Sequence, residues 1–413
     1  MIKRILYTLL IMFPVLASAQ INTDRVMAIG RNALYFEDYV LSIQYFNQVI
    51  NAKPYLSDPY FYRGLAKINL DDFQGAESDC SEAIERNPFV VSAYQVRGLA
   101  RIQQNNFAGA IEDYTKALEF DPENIGVWHN MALCRIRQED YKGAKNDLDK
   151  LIAISPRYTK AYLMRGEVDL KQKDTLAAEK DFGKAIEIDR YDADTWASRA
   201  ILRLQQQRYK DAEADLDHAI RLSTRNSGVY INRALARYHQ NNLRGAMSDY
   251  DIALDIDPNN FIGHYNRGLL RAQVGDDNRA IQDFNFVIEM EPDNMMAIFN
   301  RGLLLDQTGD YKGAIKDYST VINEYPNFLL GYQYRAQARR KIGDVKGADA
   351  DEFKVLKAQL DKQNGVDPNK QTADNTENNK TRKKSDKNMN NYRKIVVADN
   401  EEGEEKYKSD YRG

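Results

Sequence analysis

Apolar residues recur three or four positions apart through most of this chain, broken at regular intervals by short polar turns. The stretch from Val91 to Asn124 shows one period of the pattern. A first run carries Tyr94, Gly98 and Arg101, a second carries Ala110, Tyr114 and Ala117, and each has one apolar face at helical spacing. Pro122 ends the second run, because proline has no amide hydrogen and its ring clashes with the preceding turn. The pattern therefore predicts two amphipathic helices joined by a tight polar turn.

The pattern returns every 34 residues, so that Gly64, Ala76, Ala83 and Pro88 are followed by Gly98, Ala110, Ala117 and Pro122. Frames starting at 125, 159, 193, 227, 261, 295 and 329 place Ala132, Gly166, Ala200, Ala234, Gly268, Gly302 and Ala336 at the same eighth position. A looser copy at 23–56 holds Gly30, Phe46 and Pro54, which makes ten units from Thr23 to Lys362 without an insertion. This spacing resembles the tetratricopeptide repeat, a helix–turn–helix unit. The resemblance implies an all-α fold, a right-handed superhelical solenoid over residues 20–362. A single helix pair cannot bury its apolar face alone, so the units must stack. Small residues at the eighth and twentieth places let paired helices approach. Bulky ones at the fourth, such as Tyr94, Trp128 and Tyr162, fill the space between neighbours.

Two charged positions stand outside the family's usual pattern. Arginine fills the seventh place in eight units (for example Arg63, Arg97, Arg233 and Arg301), and aspartate fills the twenty-third in nine. The first unit lacks both, with Ile29 and Tyr45, and the fourth lacks only the arginine, with Met131. These residues could form rings of charge for a ligand. Against that, the twenty-third place lies beside the apolar twentieth, twenty-fourth and twenty-seventh, so it faces inward. The expectation is an internal ladder of Arg–Asp pairs within each unit.

The resemblance also implies a concave face lined by the second, fifth, sixth, ninth, twelfth and thirteenth places of each first helix. Asparagine recurs at the sixth, as Asn130, Asn232, Asn266 and Asn300. Its side chain both donates and accepts, so it can pair with a peptide's main chain without reading side chains. First helices ~10 Å apart and a strand rise of ~3.3 Å would bring one asparagine to about every third peptide residue. Such an arrangement is similar to the asparagine ladder by which some long members of the family hold extended peptides. Tyr265, Phe299 and Tyr334, with His239, Gln273 and Gln307, add an amphipathic patch at neighbouring positions. Earlier units carry a more apolar stretch of Phe61, Tyr62, Leu65 and Leu99. The lysine-plus-asparagine clamp by which some relatives capture carboxyl termini is not evident, since Lys160 is the lone lysine at a matching second place.

Charge and composition narrow the partner class. The net charge is −3; two basic residues open the chain and the tail from Gln363 carries 11 basic against 10 acidic residues, leaving the repeats near −6. No basic stripe suited to phosphates emerges, so a nucleic-acid partner is not expected. Cys80 and Cys134 stand two units apart, beyond disulfide reach, and read as small buried apolar residues. The four histidines show no metal-ligand spacing, and no glycine-rich phosphate loop or catalytic constellation occurs. No enzyme activity, metal or cofactor is expected.

The ends differ from the repeats. Lys3 and Arg4, the apolar run Ile5–Leu16 and the Ala17-Ser18-Ala19 site form a signal peptide over residues 1–19, with an apolar run too short to span a bilayer comfortably. The expectation is an exported protein, periplasmic or at the cell surface. Residues 363–413 form a polar tail with too little apolar surface to fold, relieved by the β-prone run Tyr392–Val397. That run could add a strand to a partner, dock into the groove or do neither. The chain thus reads as a protein-binding scaffold whose groove takes an extended peptide or a partner's helix. A structural role in an envelope assembly, with the groove empty or filled by the tail, and binding of a glycan or cell-wall polymer remain the alternatives.

Overall fold

A computed structural model describes residues 22–222, 225–363, 389 and 393–398. The expected signal peptide, and the tail apart from its seven described residues, lie outside that set. Among the described residues there are twenty α-helices and no strand. The chain divides into two compact units, Met1–Ile188 and Asp189–Gly413. The first holds five helix pairs, from Thr23–Tyr35 with Tyr39–Ala52 to Thr159–Lys171 with Thr175–Ile188. The second holds five more, from Ala193–Gln205 with Tyr209–Leu222 to Leu329–Lys341 with Val345–Gln363. Within each unit every helix packs on its predecessor and its successor in the chain. This is the all-α solenoid class expected from the 34-residue period.

Local chemistry sets the helix ends. At the sixteenth place Asp72, Asn106, Asp140, Asn242 and Asp310 each accept a hydrogen bond from the amide three residues on, capping the second helix. The residue before each cap is left-handed in all ten pairs, from Glu37 (φ 63°) to Gly343 (φ 81°). One left-handed residue ends the first helix and turns the chain back at once.

The small eighth place seats the side chain of the twenty-fourth. A Cβ added at Gly166 would lie 2.6 Å from the ring of Phe182, so only glycine lets that aromatic seat against the first helix. Where the twenty-fourth place holds Leu148 or Leu216, the eighth is Ala132 or Ala200, and all four are fully buried. Cys80 and Cys134 are buried free thiols, and burial pushes both up to about 12.

All eight arginines at the seventh place reach the aspartate of their own unit. Arg63 donates through Nε and Nη2 to Asp79, and Arg97, Arg165, Arg199, Arg233, Arg267, Arg301 and Arg335 do the same to the aspartate sixteen residues on. Two further contacts extend the ladder. A base at the eleventh place adds a second cation to the carboxylate, as with Lys67, Arg101, Arg237 and Arg271. The free Nη1 also reaches back to the preceding pair, from Arg97 to Ser81, from Arg233 to Asp217 and from Arg301 to Asn285. Within each compact unit the ladder therefore ties helix to helix and repeat to repeat.

Asp147 is the exception. With Met131 at the seventh place it receives Arg135 Nη1 at 2.8 Å, while its Oδ2 has no hydrogen-bond partner among the described residues. Burial pushes its carboxyl up to about 7, opposed by Arg135 and reinforced by Asp140. The native state thus keeps a proton that the unfolded chain has released, in a window from the ordinary carboxylate range up to about 7. The contribution of this group to stability falls as pH rises through that window. Met131→Arg supplies the missing fork, so its gain over wild type should be larger at pH 8 than at pH 5, by on the order of 1–3 kcal/mol. Urea denaturation at the two pH values checks this, and an equal gain at both would reject it.

Candidate functional site

The second unit presents a run of asparagines on successive first helices. Asn232 lies on Ser227–His239, Asn266 on Phe261–Gln273 and Asn300 on Met295–Thr308. Their burial is unusual for the residue type, at 1%, 0% and 5% exposure. A buried amide needs partners. For two of the three, the partner is the main chain of the C-terminal tail.

Asn232 Nδ2 donates to the Ala398 carbonyl at 3.0 Å, and the Ala398 amide donates back to Asn232 Oδ1 at 2.9 Å. Asn266 Nδ2 donates to the Val396 carbonyl at 2.7 Å, and the Val396 amide donates back to Asn266 Oδ1 at 2.9 Å. Each asparagine therefore imitates one residue of a neighbouring antiparallel strand, where two residues exchange both bonds. The tail runs opposite to the repeats, its later residue on the earlier helix.

The spacing corrects the expectation of one asparagine per three peptide residues. In an extended chain the amide and carbonyl of one residue point to the same side, and those of its neighbour to the other. A row of identical side chains on one wall can therefore meet residues i and i+2 but not i and i+3. Two residues rise only ~6.6 Å, so the amide heads converge more closely than helix axes ~10 Å apart.

Asn300 is placed otherwise. Its Nδ2 donates to the Met296 carbonyl of its own helix at 2.9 Å and approaches the Tyr265 hydroxyl at 3.4 Å. Tyr265 and Phe299 are buried in one apolar cluster with Met389 of the tail, and Tyr334 packs against it half-buried. The three aromatics thus share one apolar cluster, of which a tail residue is also a member. Phe299 meets Tyr334 edge to face with ring centroids 5.9 Å apart.

His239, Gln273 and Gln307 are exposed on the same helices. His239 stacks on Tyr209 at 4.4 Å, and burial against that ring holds its imidazole below its ordinary range. Gln273 Oε1 accepts from the Tyr238 hydroxyl at 2.7 Å. None of these three hydrogen-bonds a described tail residue. Asn130 belongs to the first unit, where it is half-buried on the helix Ile125–Arg137.

Sequence reasoning missed Ala398, just past the β-prone run. In the structure Ile395 and Ala398 are the buried members of the stretch, while Lys394 and Val396 are exposed. The arrangement holds an extended backbone. Among the described residues no cluster of three or more His, Cys, Asp or Glu side chains is placed to hold a metal ion, and no helix is long and apolar enough to cross a membrane.

Comparisons with known proteins agree with the helix-pair geometry. Models of the tetratricopeptide repeat match residues 125–158, 159–192, 198–261 and 265–327, and a TPR repeat model matches 98–134. No curated protein matches the sequence. Among solved structures, the chain is similar to a tetratricopeptide repeat protein from Parabacteroides merdae, 20% identical over 60% of this chain and 98% of that one, with a TM-score of 0.48. It is also similar to the C-terminal part of a TPR repeat-containing protein from Cytophaga hutchinsonii, 15% identical over 66% of this chain and 98% of that one, with a TM-score of 0.46.

Proposed function

The chain belongs to the tetratricopeptide repeat family, a scaffold whose members bind protein partners, and from that premise we propose that it is an exported, non-catalytic binding protein whose second unit captures an extended segment of a protein partner. One observation carries the reading: Asn232 and Asn266 each give both amide functions to the main chain of one residue of an extended segment. Main-chain pairing supplies affinity for any strand-like segment, and neighbouring side-chain sites supply choice. The near-neutral tail and acidic repeats favour a protein over a nucleic acid. The test is to select binders from a random peptide library on the full-length protein and to assay them on an Asn232→Ala, Asn266→Ala variant. Peptides that bind the variant as well as the wild type would remove the groove from the mechanism.

Export rests on the Lys3-Arg4 start, the apolar run and the Ala17-Ser18-Ala19 site. Cell fractionation with N-terminal sequencing should recover, outside the cytoplasm, a chain that begins at Gln20. A cytoplasmic chain retaining Met1 would reject export.

A further inference from the structure

The pairs at Asn232 and Asn266 read only backbone, so choice among segments must come from the side chains that the wall encloses. Two of the residues from Arg393 to Ala398 are enclosed. Ile395 is 8% exposed in a cluster with Leu204, Leu235 and Ala236. Ala398 is 3% exposed in a cluster with Tyr230, Ile231 and Leu270. Val396 between them is 41% exposed, and Lys394 is exposed. Strand alternation turns Ile395 and Val397 to one side, against the cluster of Leu204 and Leu235, and Ala398 to the other, against Tyr230 and Leu270, so the groove encloses an aliphatic chain at one site and a methyl at the other. Filling a closed site with extra methylenes forces its neighbours out of place.

Tethering matters as well. Twenty-nine residues separate Gln363, the last of the final helix, from Arg393. A short tether presents its end at an effective concentration on the order of millimolar. A partner in solution must compete against that.

Resting on the groove reading above, we propose that residues 395–398 are a resident ligand of the groove, and that a partner displaces them with an extended segment bearing an aliphatic residue three positions before Ala or Gly. The partner segment runs antiparallel to the repeat order and pairs its backbone with Asn266 and Asn232, two residues apart. The tail thereby sets a threshold: segments that pair through backbone alone fail to displace it, and segments that also fill both enclosed sites succeed.

The test uses the full chain and a fluorescent synthetic peptide with the sequence of residues 389–400. A full-length Ile395→Glu, Ala398→Glu variant, whose own tail cannot seat, should bind this peptide at least ~10-fold tighter than wild type, because the cis competitor is gone. Peptides with Ala398→Leu or Ile395→Ser should bind that variant at least ~10-fold more weakly than the parent peptide, whereas Val396→Lys should change binding less than about threefold. Equal affinity of the wild-type chain and the tail variant would overturn the resident-ligand proposal. Equal affinity of the parent and Ala398→Leu peptides would overturn the selection rule. If the parent peptide binds but adding Asn232→Ala and Asn266→Ala to the tail variant changes nothing, the groove reading itself fails. A tail variant that binds no peptide overturns both.

Discussion

Asp249→Ala is expected to destabilise the protein by ~3–5 kcal/mol, through the penalty of leaving a buried charge without its partner. Asp249 is 1% exposed and accepts from Arg233 Nε at 3.0 Å, Arg233 Nη2 at 2.6 Å and Arg237 Nη1 at 2.8 Å. Removing it leaves two guanidinium groups facing an apolar gap between paired helices. Arg233 keeps Asp217 at 2.7 Å and Arg237 keeps Glu213 at 2.8 Å, which places the loss toward the lower end of the range. Asp217 is itself 38% exposed, so Asp217→Ala should cost no more than ~1 kcal/mol. Thermal denaturation of the two variants side by side makes the comparison. A melting temperature for Asp249→Ala no lower than that of Asp217→Ala would mean the ladder is not a structural element.

The second large effect falls on the groove. Asn232→Ala with Asn266→Ala removes four hydrogen bonds to the tail backbone. At ~0.5–1.5 kcal/mol net for each bond, the docking equilibrium should fall by on the order of 2–6 kcal/mol, or roughly 30-fold to 10⁴-fold. The repeats should be little affected, because the deleted amides face the tail while the apolar contacts and the Arg–Asp pairs of both units stay in place. Limited proteolysis reads this directly, with the tail cleaved much faster in the double variant while the helical signal is retained. Cleavage at the wild-type rate would show that the asparagines contribute nothing to docking.

The fold was legible because one pattern repeats. A glycine at the eighth place, an aromatic at the twenty-fourth and an aspartate at the twenty-third report the same contacts in unit after unit, so Gly166 with Phe182 and Arg233 with Asp249 could be anticipated from position alone. Cations also recur at the eleventh place, from Lys67 to Arg339 with Asp169 and Leu305 interrupting, but position alone did not say that they share the aspartate with the seventh-place arginine. Nor did the sequence mark the division between Ile188 and Asp189, since the period runs through it unbroken.

The site was legible by halves. Asn232 and Asn266 stood out as recurrent polar residues on a face that the family uses for binding. Their partner did not, because an asparagine that pairs with main chain leaves no side-chain signature on what it holds. The register followed from strand alternation, which the helix spacing alone had obscured.

Residue-resolved amide exchange on the full-length protein is the most direct test of the central claim, that the groove holds an extended backbone through paired asparagine bonds. The amides of Val396 and Ala398 donate to Asn266 and Asn232, while those of Ile395 and Val397 make no such bond. The account predicts alternation, with slow exchange at 396 and 398 and fast exchange at 395 and 397. Uniformly fast exchange across 395–398, or protection that does not alternate, would contradict it.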